Sequence, residues 1–300
     1  MAPPTVGGRE LTGHGTSDAA GAPRRLPRLT AARAVMVAGI GLAAALAAIP
    51  ILAGGGGTAQ VAPPRGPALR LADRAGLVTV NLAARATSLE VRTFPSQGVE
   101  VGRGSVRVRA GRDGDAPVDI ATADCGAGCH LARIRLRPGV WSVAVVVAPR
   151  GAKPAAAAFS VPWPLGPGRD RLLRRAVASM ARLRAVTVHE RVTSDPRRGY
   201  TPSPTVTLTG RELLGAETYA LGGARDVREI PGGGALRRIA YAIPPAHISY
   251  QLWVGPDGLI RRERIVGPNH LIERRFSRFR PPPRAGAGPG TAAGGVRPTA

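Results

Sequence analysis

Residues 34–52, AVMVAGIGLAAALAAIPIL, form a long stretch with no charged side chain, and the rest of the chain takes its side from it. As a helix it would measure about 28 Å, close to the roughly 30 Å of bilayer hydrocarbon. Arg24, Arg25, Arg28 and Arg33 precede it, whereas no charge follows until Arg65. The positive-inside rule then predicts a single-pass span in the plasma membrane, the N-terminus cytoplasmic and the bulk of the chain extracytoplasmic. A cleaved export signal is the first rival reading, with Arg24-Arg25 as a degenerate twin-arginine pair. The apolar run exceeds a usual signal core, and no clear small-x-small site follows. A buried core helix, the second rival, would show a polar face, and this run has none.

The formal charge of +23 invites a nucleic-acid reading, since clustered cations release counterions from phosphate. The pattern points elsewhere. Lys153 is the single lysine, and the arginines alternate with apolar residues, as in Val106-Arg107-Val108-Arg109. Such alternation describes the solvent face of a sheet. No nucleic acid is expected as a partner; membrane lipid is, through the anchor.

Cys125 and Cys129 stand in the phrase Asp124-Cys-Gly-Ala-Gly-Cys-His130. Outside the cytoplasm two nearby thiols are expected to oxidise, and the intervening glycines let the backbone turn. A disulfide pinning a turn is the reading; a metal site with His130 as third ligand is the alternative, and it lacks a second ligand cluster.

Pattern divides the chain. Residues 1–33, broken by Pro3, Pro4, Pro23 and Pro27, read as a disordered tail, and 53–70 as a flexible linker. Across 71–161 the period is two, with strands expected at 77–82, 89–94, 105–110, 118–122, 133–136, 140–148 and 155–161, an antiparallel β-sandwich. Residues 162–169, with Pro162, Pro164 and Pro167, mark a boundary. Asp170 is expected to cap a helix over 170–184, with Leu172, Leu173, Ala176, Val177, Met180 and Leu183 on one face. Strands expected at 186–193, 205–213, 217–221, 237–243, 248–254, 259–266 and 271–279 supply a curved antiparallel sheet for it to cover, an α+β domain over 170–280. Residues 281–300 read as a disordered tail.

The order of the anchor, Gly76-Leu-Val-Thr-Val-Asn-Leu82, Asp124-Cys-Gly-Ala-Gly-Cys129, Trp141 and Phe159-Ser-Val-Pro-Trp-Pro164 resembles the extracytoplasmic C-terminal region of actinobacterial copper resistance D family membrane proteins. Residues 170–183, 188–194 and Tyr250-Gln-Leu-Trp-Val-Gly-Pro-Asp-Gly-Leu259 extend the resemblance over roughly 34–280. The second domain is similar to the LolA-like lipoprotein-carrier fold, in which a helix plugs a half-open sheet and apolar ligands enter between them. That likeness implies an acyl-chain cavity lined by Leu173, Val177 and Met180. The copper family implies movement of copper through a multi-helix membrane region, which has no counterpart in this chain, so no cofactor is expected and copper binding is the alternative. Candidate ligands are His130 and His270; His14, His189 and His247 are equally isolated in sequence.

Paired carboxylates, a nucleophile elbow, a phosphate loop and a His-Glu-x-x-His motif are all missing from the sequence, so no catalysis is expected. His189-Glu190 sits on a strand, where neighbours point to opposite faces. Two functions follow as expectations: a non-catalytic membrane-tethered accessory module contacting an envelope protein, or a lipid or lipoprotein carrier or sensor.

Overall fold

The computed structural model describes residues 61–217 and 222–282. The predicted span at 34–52, the expected tail at 1–33, all but the first two residues of the expected tail at 281–300 and most of the expected linker lie outside the described residues. Among those described, no helix is long and apolar enough to cross a membrane. They form mostly strand, with two α-helices.

The first domain has two sheets. One runs β1 (Leu69–Ala75), β2 (Val78–Arg85), β3 (Ser88–Pro95), β7 (Cys129–Arg133), β6 (Thr122–Gly126); the other runs β5 (Val118–Ile120), β4 (Val106–Arg112), β8 (Gly139–Val147), β9 (Ala155–Trp163). Alternation decides which side chains meet. Val78, Val80 and Leu82 of the first sheet share one core with Val106, Val108, Val143, Val145 and Val147 of the second, while Arg107 and Arg109 face water.

Several local expectations are corrected. Strand β1 at Leu69–Ala75 precedes the first strand expected, at 77–82, and its first two residues fall in the expected linker, because Arg70, Asp73 and Arg74 mask its alternation. Residues 133–136 alternate like a strand but bond irregularly, Ile134 N–H to Thr87 O at 3.2 Å and Leu136 N–H to Ala86 O at 2.9 Å. The pairing is taken instead by the β6–β7 hairpin, whose end is closed by the Cys125–Cys129 disulfide. Gly128 has φ 64°, and a Cβ there would lie 2.7 Å from Thr93 O, so the turn requires glycine. Val61 packs on the bridge.

In the second domain β10 (Ala185–Thr193), β17 (Leu271–Arg280), β16 (Ile260–Val266), β15 (Ile248–Val254), β14 (Arg237–Ile243) and β13 (Arg225–Ile230) lie side by side, with β11 (Thr201–Pro202) and β12 (Val206–Leu208) on the free side of β10. Helix α1 (Asp170–Ala181) covers one face. Asp170 is its first residue and not its cap, which is Arg169. Residues 205–213 are no continuous strand: Thr209 ends β12 by capping α2 (Gly210–Gly215), its hydroxyl accepting from Glu212 N–H while the Glu212 carboxylate accepts from Thr209 N–H. Glu217 belongs to no strand; residues 218–221 lie outside the described residues. Strand β13 was not expected, since Arg225, Asp226 and Arg228 hide its two apolar positions.

The domains are joined along β1, which packs on β14 and β15. Arg70 pairs with Asp226 at 2.7 Å and Arg264 with Asp73 at 2.6 Å. Buried Arg74 reaches Thr79 Oγ1 at 2.8 Å and Pro268 O at 3.1 Å. Burial pulls its pKa down to about 10 against the pull of Asp195 and Asp73.

Candidate functional site

Strand pairing in the second sheet sets side chains in rows that cross it, one row per residue of rise, with alternate rows on opposite faces. Ile239, Leu252, Glu263, Arg274 and Glu190 are successive partners from β14 to β10 and form one row facing α1. Arg238, Trp253, Arg262, Arg275 and His189, each one residue away, form a row on the outer face.

The inner row is apolar at one end and ionic at the other. Arg274 is 2 % exposed and Glu263 1 %. Arg274 Nε donates to Glu190 Oε2 at 2.6 Å, and its Nη1 donates to Glu263 Oε2 at 3.2 Å and to Glu217. Glu217, just past α2, thus closes over the arginine from the loop side. Glu190 also accepts from Ser203 Oγ at 3.0 Å. Burial, with Glu217 beside it, pushes the Glu263 carboxyl up to about 8, and Glu263 Oε1 has no hydrogen-bond partner among the described residues. Burial likewise raises Glu217. Burial disfavours the charge on Arg274, but Glu217, Glu263 and Glu190 outweigh it and hold its pKa above the ordinary value. One cation is shared by three carboxylates, at least one of which keeps its proton near neutral pH.

Beyond the ionic end, Leu173 and Met180 of α1 are buried at 6 % and 0 % and share a core with Tyr241, Tyr250, Leu252 and Ile260; Val177 packs at its margin. The side chains expected to line an acyl-chain cavity are therefore in contact with the sheet. Tyr241 and Tyr250 stack with ring centroids 5.1 Å apart under them.

The outer row is basic. The guanidiniums of Arg238 and Arg262 lie 5.1 and 4.9 Å from the centroid of the Trp253 ring. Arg238 is half-buried; its Nη2 donates to Gln251 at 2.5 Å, and its Nε has no acceptor among the described residues. Burial, then repulsion from Arg264 and Arg262, lowers its pKa. Carboxylates beside the row are already used: Glu273 of the next row pairs with Arg191 and Arg264, and Asp73 of β1 with Arg264. Arg238, Arg262 and Arg275 have no carboxylate partner among the described residues. A cavity of about 590 Å³ lies along these side chains.

His130 and His270 are not brought together. His130 is buried on β7 opposite Asp124, in the first domain, where burial lowers its pKa. His270 is in the β16–β17 turn of the second domain, its Nδ1 3.3 Å from Ser194 Oγ. Among the described residues no group of three or more His, Cys, Asp or Glu is placed to hold a metal ion. Both thiols are consumed by the disulfide.

Neither charged row was singled out by sequence reasoning, though a signal for the inner one exists. In Ile272-x-Arg274-x-Phe276 and in Val186-x-Val188-x-Glu190 the charge shares its parity with the apolar residues and so must face the core. Searches of protein-family models, characterised proteins and solved structures find no match to this chain.

Proposed function

We propose that this chain is a non-catalytic extracytoplasmic module, tethered to the membrane by residues 34–52, that works by contact as an accessory of a copper-handling or other envelope system. The observation that carries this choice over a lipid carrier is the occupied interior of the second domain. Leu173 and Met180 are packed against the sheet, and the ionic end of that space is filled by Arg274 with Glu190, Glu217 and Glu263. A LolA-like carrier needs space between helix and sheet. With the interior filled, the side chains left for recognition are on the outer face. The isolation of His130 from His270 likewise favours a partner role over copper binding by the chain itself.

Native mass spectrometry of the membrane-extracted full chain, challenged with Cu(I) and Cu(II), tests the reading. The expected result is the mass of the chain alone. A stoichiometric acyl-chain mass that survives exchange of lipid for detergent would replace it with the carrier reading, and a stoichiometric copper adduct lost in His130→Ala or His270→Ala would replace it with a metal role.

A further inference from the structure

Three of the five residues in the outer row, Arg238, Arg262 and Arg275, are cations with no carboxylate partner among the described residues. Strands lie about 4.8 Å apart, so the five partners from Arg238 to His189 span about 19 Å. Within that span Arg262 and Arg275 are exposed neighbours, and Arg238 is half-buried beside them. Repulsion among such guanidiniums is a standing cost that a bound anion relieves. The side chains are also held in place: Trp253 lies under two of the guanidiniums, and the His189 ring is fixed between Thr205 Oγ1 and Ser277 Oγ, each at 3.1 Å. Pre-positioned cations lose little freedom on binding.

We propose that this row is a docking face for the phosphate groups of anionic phospholipid headgroups, so that the second domain lies against the bilayer surface. The proposal rests on the reading of 34–52 as a membrane tether. It commits to a lipid surface, and not to a soluble anion, on two grounds. The cations, from Arg238 on β14 to Arg275 on β17, form an open row about 14 Å wide, more than one phosphate could cover. The stretch from residue 53 to residue 60 also spans at most about 28 Å when fully extended, so residue 61 stays within that distance of the bilayer that holds the tether. Trp253 beside the arginines suits the interfacial zone, where tryptophan is enriched.

The test uses the full chain reconstituted in vesicles of phosphatidylcholine, with or without phosphatidylglycerol, and doped with a lipid carrying a photoreactive headgroup. Crosslinked peptides are mapped by mass spectrometry. Crosslinks are expected on β14 to β17, increasing with phosphatidylglycerol. In R262Q/R275Q the docked-to-undocked ratio should fall by on the order of thirtyfold. The charge-matched R171Q/R174Q, on exposed positions of α1 across the sheet, should stay within about twofold of the parent by the same reckoning. R262K/R275K, which keeps the charge, should restore crosslinking. Equal loss in both glutamine variants would reduce the effect to general charge and overturn the proposal. So would crosslinks insensitive to phosphatidylglycerol, or binding of inorganic phosphate to the row without crosslinks. A chain washed off the vesicles by alkaline carbonate would refute the tether itself, an outcome distinct from a retained chain that leaves the row uncrosslinked.

Discussion

The two faces of the second sheet differ by one residue in sequence and by nearly everything in environment. Arg274 and Arg275 are neighbours in the chain. The first is 2 % exposed and holds three carboxylates; the second is exposed and has no acidic partner among the described residues. Glu263 and Arg262 repeat the contrast on the adjoining strand, the acid buried and the base outside. A charge inside a protein must be paired to be tolerated, whereas a charge outside is paid for by water. The inner row is therefore a matter of folding, whereas the outer row lies in water and is free of that demand, and substitutions should separate them.

The largest effect should come from Arg274→Met. It removes the cation and leaves Glu190, Glu217 and Glu263 around a buried apolar side chain, and breaking a buried ionic group in this way costs about 3–5 kcal/mol. Urea unfolding at neutral pH should show a matching drop in the midpoint. A loss below about 1 kcal/mol would mean that water reaches the cluster, and the contrast between the faces would collapse.

Next in size is the pH dependence of the same cluster. Glu263 takes its proton at about 8 in the folded chain, against 4.5 for an ordinary glutamate. Its folded pKa is raised, so its contribution to stability is fully present below pH 4.5 and is lost as pH rises through 8. Over that interval the loss should be about 2–4 kcal/mol, and Glu263→Gln, which keeps the neutral form, should flatten it. Glu229 provides the opposite sign on a more exposed site. Hydrogen bonding from Arg237, then from Arg169, holds it down to about 2, so its contribution is present above pH 4.5 and fades as pH falls toward 2. Unfolding measured from pH 3 to pH 9 in the parent and in Glu263→Gln resolves the two limbs.

The contrast also shows what the chain displays in its letters. The valine alternation of β4 and β8 announces a sheet with one wet face, because every second residue is apolar and its neighbours are arginine or small. The helical spacing of Leu173, Ala176 and Met180 announces a covered face in the same way. Arg261-Arg-Glu-Arg264 announces nothing: a run of charges reads as solvated, and only the pairing of Glu263 with Arg274 across strands reveals that one of them is inside. Which cation neutralises which acid depends on contacts distant in sequence, Glu217 with Arg274 among them. Strand β1 and strand β13 were hidden for a related reason. Their charges, Arg70 and Asp226, face each other across the domain boundary and not the solvent that a sequence pattern assumes.

A smaller effect tests how the inner cluster is closed. Glu217 follows directly on α2, a short helix begun by the Thr209–Glu212 capping box. Thr209→Ala removes the hydroxyl that satisfies Glu212 N–H, for a cost of about 1 kcal/mol. If α2 positions Glu217, the loss should be greater in the parent than in Glu217→Gln, and a double-mutant cycle would show the coupling. Strict additivity would mean that Glu217 reaches Arg274 without help from the helix.

The smallest effect should be on the outer face. Arg275→Gln deletes a charge that has no carboxylate to lose and two like charges, on Arg262 and Arg238, to be relieved of. Surface substitutions of this kind stay within about 0.5 kcal/mol, and here the relieved repulsion sets the sign toward stabilisation, more so at low salt, where screening is weak. Urea unfolding of Arg275→Gln at low and high ionic strength should therefore give a small gain that shrinks as salt is added. A loss comparable to that of Arg274→Met would mean that Arg275 is structural, and the outer row would no longer contrast with the inner one.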